Sequence, residues 1–411
     1  MATFDGGDGP MLYVGGDFVT AGGQRSPYLA RWDGEQWHTV PGLDSPGSEL
    51  DAFVRTLYVW DDGAGPALYV GGGFTMAAGL LVNHVARFDG AEWSALAGPD
   101  GIGTNDRLSE LHAHDDGSGE ALYASGSFIE AGGAAANRVA RWDGSAWSAV
   151  GDGGDINTPV IGLETYQGDL HAALTYLSGG ARRVPGVARW DGETWSRLSG
   201  PDETYWTEQV WPLTAWDDGD GERLYAGGSF TMSRMGENFA YNFAWWDGQQ
   251  WDGIDFSTFL ASQVTDILPF DDGDGEKLYV SGRYRSPTGR LLAVGRIVDG
   301  RGQDLQNAPN PVGRVLGVFD AGDGPALHVG GDFPTLLGLP GGTQPGYIAR
   351  WRPRRACPAD VNGDCAINLS DFLEFQNLFA AGDDRADFDG DGQLTIFDFL
   401  AFHNAFDAGC P

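Results

Sequence analysis

The sequence predicts an all-β propeller of about seven four-stranded blades, followed by a small all-α domain built on two calcium-type loops. Three observations carry this. An LY[VA]-type strand recurs seven times, at Leu12, Leu68, Leu122, Leu170, Leu224, Leu278 and Leu327, with separations of 56, 54, 48, 54, 54 and 49 residues. A period near ~50 residues made of short strands is what a four-stranded blade needs. Glycine is abundant, 65 of 411 residues, which suits many tight turns. The three cysteines, Cys357, Cys365 and Cys410, fall together where the repeat has ended. These features divide the chain into a propeller over 1–352, a linker over 353–356 and a C-terminal module over 357–411.

Each unit reads as four strands in order. A mostly apolar strand comes first, as in VRTLYVW (Val54 to Trp60), then an acidic Gly-rich turn and the LYVGG strand. After a variable loop, a third and a short fourth strand are joined as in ARWDGEQW (Ala30 to Trp37). Asp-Gly is the preferred two-residue type I′ hairpin loop. With Asp33-Gly34 as that loop, Trp32 faces Glu35 and Ala30 faces Trp37, so both indoles lie on one blade face. The same spacing recurs at Phe88/Trp93, Trp142/Trp147, Trp190/Trp195 and Trp246/Trp251, whereas blade six has Gln303 in place of the second Trp.

These residues resemble bacterial kelch-like repeats of the LYVGG-F-x-x-AGG…ARWDG-x-x-W type. The resemblance covers 1–352. It implies a propeller and leaves function open, because propellers serve as enzymes and as pure binders. Unit one begins partway through its first strand, with only MATFDG available. Unit seven stops at YIARW (Tyr347 to Trp351) without a fourth strand. A natural start upstream, with a signal peptide, is therefore expected. The alternative is a three-stranded seventh blade whose edge the C-terminal module covers.

Acidic turns such as DDGDGEKLYV (Asp271 to Val280) look like calcium loops and fail the geometry. An EF-hand-type loop places oxygens at positions 1, 3 and 5, a carbonyl at 7 and a carboxylate at 12. Starting at Asp272, position 12 is Arg283; starting at Asp271, positions 3 and 5 are glycines. Hairpin chemistry accounts for these turns, with Asp and Gly supplying the conformations.

The C-terminal segment passes the same test twice. Asp360, Asn362, Asp364 and Asp371 stand at positions 1, 3, 5 and 12, with the Ala366 carbonyl at 7. Asp387, Asp389, Asp391 and Asp398 repeat this 27 residues later, with the Gln393 carbonyl at 7. Each loop leads into a helical pattern, where Phe372/Phe399, Leu373/Leu400, Phe375/Phe402 and Phe379/Phe406 form an apolar face. Two Ca²⁺ ions would offset part of the module's charge and give it a reason to fold.

This region, 357–411, resembles a dockerin domain, and more closely the planctomycete-type variant ending in FDFLAF…GC. The resemblance implies calcium-dependent attachment to a cohesin-like or other surface receptor. The usual dockerin recognition positions map onto Leu369, Ser370, Ile396 and Phe397, which are mostly apolar here. A bridge between Cys357 and Cys410 would bracket the module and contribute on the order of 4 kcal/mol. Cys365 holds position 6 of the first loop, where Gly392 stands in the second, so weaker calcium binding at the first loop is expected.

A net charge of −33 disfavours nucleic acid and anionic membrane surfaces. No apolar run reaches the ~20 residues of a membrane span, and MATFDGGDGP shows no signal peptide. A disulfide and a dockerin-like module point to an extracellular or cell-surface location. No Walker loop, GxSxG elbow or HExxH motif is present. His112 and His114 alternate on one strand and suggest no third metal ligand. The expected role is a non-catalytic propeller that binds a protein or carbohydrate and is displayed through its calcium-binding tail. The alternative is a carbohydrate-active propeller enzyme carried by that tail, although no acid pair stands out in the sequence.

Overall fold

The computed structural model describes the chain apart from residues 152–155, 157, 176–185, 200–204, 207, 235–236, 254–259, 274, 286–290, 299–300, 306–311, 323, 333–347, 352–358, 360, 362–368, 382–385, 387, 389–392 and 409–411. Two compact units emerge. One is built from Met1–Phe270 and Lys277–Trp351, and the other includes Arg352–Pro411.

The first unit is a seven-bladed β-propeller. Blade two shows the plan, with Val54–Asp61, Pro66–Gly72, Val85–Phe88 and Trp93–Ala95 paired antiparallel in sequence order. The first strands of neighbouring blades touch one another from blade seven through blade one to blade five, which sets them around the central axis. In blades three to seven these inner strands are Leu108–Asp115, Val160–Tyr166, Gln209–Asp217, Leu260–Asp271 and Val312–Asp320.

The N-terminal residues do more than the sequence suggests. Ala2–Asp5 is a short inner strand, running in register from Ala2↔Tyr13 to Asp5↔Pro10. Blade one therefore has four strands, the first of them four residues long against eight in blade two. Blade seven has three strands among the described residues, ending with Ile348–Trp351. The ring closes by packing. Leu12 and Val14 of blade one bury against Phe319 of blade seven, and Thr3 Oγ1 donates to the Val318 carbonyl at 2.8 Å.

The WDG hairpin also departs from expectation. Trp32 pairs directly with Trp37, so the loop has four residues, Asp33 to Gln36, and is not a two-residue type I′ turn. Asp33 Oδ1 accepts from the Glu35 and Gln36 amides, at 2.7 and 2.8 Å. The same double acceptance recurs at Asp89, Asp143, Asp191 and Asp247. The aspartate side chain closes the turn that Asp-Gly backbone geometry was expected to close. Blade six, where Val298 pairs with Arg301, is the one that leaves only two residues between its strands. Direct pairing does put both aromatic rings on one face, with centroids 5.0 to 5.6 Å apart in blades one to five.

The second aromatic is Trp for a reason beyond size. Trp93, Trp147, Trp195 and Trp251 donate their indole N–H to carbonyls of Pro41, Leu96, Val150 and Leu198, at 2.7 to 3.1 Å. Each acceptor lies in the segment that leaves the preceding blade. The AGG glycine beneath is required too: a Cβ on Gly132, whose φ is +58°, would sit 2.9 Å from Trp147.

In the second unit, α1 spans Leu369–Ala381 and α2 spans Ile396–Ala408. Phe375 and Phe402 stack at 4.2 Å, and Phe372, Phe379, Phe399 and Phe406 pack around them. Leu373 and Leu400 were expected on that face and are half exposed. They follow the packed Phe372 and Phe399 by one residue, which turns them about 100° round the helix.

Candidate functional site: the axial channel

The strand order defines two faces of the ring. Inner strands run from the face carrying the blade-to-blade connections to the face carrying the acidic turns and WDG loops. On the turn face, Asp5, Asp61, Asp115, Asp217, Asp271 and Asp320 each use Oδ1 to accept from two glycine amides. For Asp61 these are Gly63 at 2.8 Å and Gly65 at 2.9 Å. The following aspartate binds outward. Asp62 accepts from the Tyr69 hydroxyl at 3.1 Å and pairs with Arg87 at 3.1 Å, and Asp116 repeats this with Tyr123 and Arg141. Burial, and then the adjacent aspartate, raise both tyrosines well above the usual phenol range. The acidic turns are thus occupied by their own backbone and by a Tyr–Arg rim, as their hairpin assignment expects.

The channel itself holds groups that the sequence did not single out. Glu110 in blade three, Glu164 in blade four and Asp266 in blade six all project from inner strands. Burial, then the charge of Asp266, push Glu110 up to about 8. Burial likewise pushes Glu164 up to about 8. Asp266 rises to about 6 from burial, although the Leu316 and Ile267 amides donate to it at 2.7 and 2.9 Å. Blades three and six are not neighbours, so the Asp266 charge reaches Glu110 across the axis, and the buried Met1 amino group acts on both carboxyls. Glu110 and Glu164 keep some solvent-accessible surface, which marks them as lining the channel. A carboxyl that stays protonated at neutral pH is a hydrogen-bond donor there, and is poised for proton transfer.

The two histidines expected on one strand do line up, and Thr165 of the next blade takes both. His112 Nε2 and His114 Nδ1 lie 2.9 and 3.0 Å from its Oγ1. Burial lowers His112 to about 4, so it is neutral, and Glu164 lies 4.0 Å away. Among the described residues no group of three His, Cys, Asp or Glu side chains converges to hold a metal.

At the connection-face mouth the charge reverses. Arg55 and Arg314 are the bulged residues of blades two and seven, each skipped by the pairing of the second strand. Arg107 immediately precedes the inner strand of blade three. A bulge re-aims its side chain. Partial burial, then the Arg107 and Arg314 charges, lower Arg55 below the usual guanidinium value. Two shallow surface clefts, of about 320 and 300 Å³, lie elsewhere, beside Arg25 and Glu49 and around Asp116 and Arg141, and include none of these axial residues.

A signal for the axial groups was present. Aligning inner strands on their closing residue (Asp61, Asp115, Gln167, Asp271, Asp320) puts Glu110 and Asp266 five residues before it, His112 and Glu164 three before, and Arg55 and Arg314 six before. Titratable residues then recur at levels where apolar residues, Thr, Ser or Gly stand in other blades.

In the C-terminal unit, Asp371 and Asp398 are fully buried at the starts of α1 and α2. Asp398 accepts from the Phe388 and Thr395 amides at 2.8 and 2.6 Å, while Thr395 Oγ1 accepts from the Phe397 amide. This is a capping box. Gln393 lies just ahead of it. Asp360, Asn362, Asp364, Ala366, Asp387, Asp389, Asp391 and the three cysteines lie outside the described residues. Leu369, Ile396 and Phe397 are 68, 64 and 64% exposed, and Ser370 is exposed beside them.

No family model matches the chain, and no curated protein matches it. Among solved structures, the computationally designed Ika8 protein aligns at 11% identity and a TM-score of 0.36, over 79% of this chain and 90% of that one. The extracellular domain of a hybrid two-component system protein from B. thetaiotaomicron aligns at 10% identity and 0.29, over 80% of this chain and 45% of that one. What fold and geometry define is a seven-bladed propeller with a charged axial channel. Among the described residues no helix is long and apolar enough to cross a membrane.

Proposed function

We propose that the chain is an extracellular binding protein: a kelch-like, non-catalytic propeller attached to a surface or complex through a calcium-dependent, dockerin-like C-terminal module. The observation that carries this is a repeated apolar surface. Leu369 and Leu373 on α1 recur 27 residues later as Ile396 and Leu400 on α2, and all four are at least half exposed, with Phe397 beside them. Solvent-facing apolar residues repeated on two helices suit a receptor-binding face. The receptor is cohesin-like or another surface protein. Two Ca²⁺ ions held by the loop carboxylates, and a Cys357–Cys410 bridge, would stabilise the module.

The test is capture of a receptor by the intact chain in calcium and in EDTA, with circular dichroism of the same samples. Calcium-dependent capture, lost in a Leu369→Asp/Ile396→Asp variant, supports attachment. Unchanged folding and capture in EDTA would refute it. A second reading, a carbohydrate-active enzyme, draws on Glu110 and Glu164, two protonated channel carboxyls of the kind that general acids require. Turnover assays on polysaccharides beside a glycan-array screen separate the two, because binding without hydrolysis supports the binder.

A further inference from the structure

The blades are not packed equally on the turn face. At the junctions seven–one, one–two, two–three and four–five, the glycine of a WDG-type loop sits against the acidic turn of the blade before it. A Cβ on Gly34 would lie 2.5 Å from that of Ala321, and one on Gly90 would lie 2.3 Å from the Gly6 carbonyl oxygen. A Cβ on Gly144 would come to 3.6 Å from the Asp62 Cβ, and one on Gly248 to 3.6 Å from the Tyr166 hydroxyl. Gly192, at the junction of blades three and four, would meet nothing within 4 Å. That junction stands open, and a cleft of about 300 Å³ lies between the Asp116 turn of blade three and the Trp190–Gly192 segment of blade four.

The lining is polar and balanced in charge. Among the described residues its ionised side chains are Asp116 and Arg141, with Asp116 Oδ2 3.7 Å from Arg141 Nε. An anion would meet Asp116 and a cation would meet Arg141, so a ligand without net charge suits the cleft. Hydroxyls with capacity to spare stand around the pair. Ser118 Oγ donates to Asp116 Oδ1 at 2.5 Å and accepts from Arg141 Nη2 at 3.0 Å, which leaves it one lone pair. Ser148 is exposed, and its bond to the Arg141 carbonyl, 3.5 Å long, is weak enough to exchange for one to a ligand. The mostly buried Trp190 indole adds an apolar wall. Closely spaced donors and acceptors beside an indole match a sugar ring, whose hydroxyls both donate and accept while its C–H face is apolar.

We propose that the cleft between blades three and four binds one uncharged pyranose residue of a carbohydrate, with Asp116, Ser118 and Ser148 taking its hydroxyls and Trp190 its C–H face. This rests on the reading of the propeller as a carbohydrate binder and gives that binding a place on the ring. It is independent of attachment through α1 and α2, so its failure would leave receptor capture untouched.

The experiment is saturation-transfer difference NMR of the full chain with the methyl pyranosides of glucose, galactose, mannose and xylose, and with glucuronate as the charged comparison. Ser148→Trp fills the cleft from an exposed strand position. Ser94→Trp does the same at the matching position of blade two, and Ser118→Ala installs the residue that Ala64 supplies in the blade-two turn. Thermal melting checks the fold of each. The expected result is transfer from at least one uncharged pyranoside and less from glucuronate. Ser148→Trp should lower the affinity at least about tenfold by occlusion, and Ser118→Ala about fivefold through one lost hydrogen bond. Ser94→Trp should leave it unchanged. Should Ser148→Trp fail to fold, Ser118→Ala decides, and full affinity in that variant refutes the site. A sugar bound at full affinity by folded Ser148→Trp would keep the propeller as a carbohydrate binder and exclude this cleft. No transfer from any uncharged pyranoside, or stronger transfer from glucuronate, would overturn the proposal.

Discussion

Glu110→Gln tests the axial acid layer directly, because glutamine copies the protonated carboxyl in shape and hydrogen bonding while removing its titration. Glu110 sits at about 8 in the folded protein against an ordinary 4.5. Between those values the unfolded chain has given up this proton and the folded chain keeps it, so stability falls as pH rises through the window. Glu164 acts the same way, whereas His112 and His171, lowered to about 4 from 6.5, act oppositely between pH 4 and 6.5. Above pH 6.5 the histidine contribution is spent, while the Met1 amine, which burial holds below its ordinary 8.0, opposes the two acids up to about pH 8 in both proteins. A pKa gap of about 3.5 sets a ceiling near 5 kcal/mol for Glu110 over its whole window, and about 2 kcal/mol over the part above about pH 6.5. Channel water screens the charge and reduces the latter to about 1 kcal/mol. Urea denaturation of both proteins at pH 6.5, 7.5 and 8.5 should show the stability of the parent falling relative to that of the variant by about 1 kcal/mol as pH rises. Parallel profiles would mean that Glu110 is already ionised at neutral pH and that the axial acid layer is misread.

Trp251→Phe removes a fully buried indole N–H whose acceptor, the Leu198 carbonyl, then has no donor; a loss of about 2 kcal/mol in thermal or chemical melting is expected. Gly72→Ala places a Cβ 2.2 Å from the Phe53 carbonyl oxygen, and should cost more than about 3 kcal/mol or abolish soluble expression. Asp115→Ala should lower the melting temperature through the loss of two amide bonds, by about 1 kcal/mol, with no change in calcium stoichiometry by calorimetry. Asp398→Ala should remove one of two calorimetric calcium sites, while two sites retained in that variant would refute the loop assignment.

The repeat, the blade plan and the turn role of the acidic loops were legible because each depends on local chemistry restated in most of the units. A period of ~50 residues, a Gly doublet and an Asp-Gly turn need no knowledge of what lies across the ring. The hairpin register was misread for a local reason. Asp33 Oδ1 takes two amides, which favours a four-residue loop over the two-residue loop that Asp-Gly alone suggests. The channel was illegible for a different reason: Glu110 and Asp266 are 156 residues apart in a chain with acids everywhere, and only ring closure makes them mutual neighbours. Leu373 shows the remaining kind of error, in which a residue of the right type falls one helical step outside the packed face.

The indole bonds give the ring a direction. Each blade from two to five secures the exit of the one before it, so the blades form a polar series in which stability is lent backwards along the chain. Gln303, bonded to Arg296 in its own blade, breaks that series at blade six. Local opening should therefore concentrate at the junction of blades five and six, and at the packed seam where blade seven meets blade one, leaving blades one to five as the most cooperative arc.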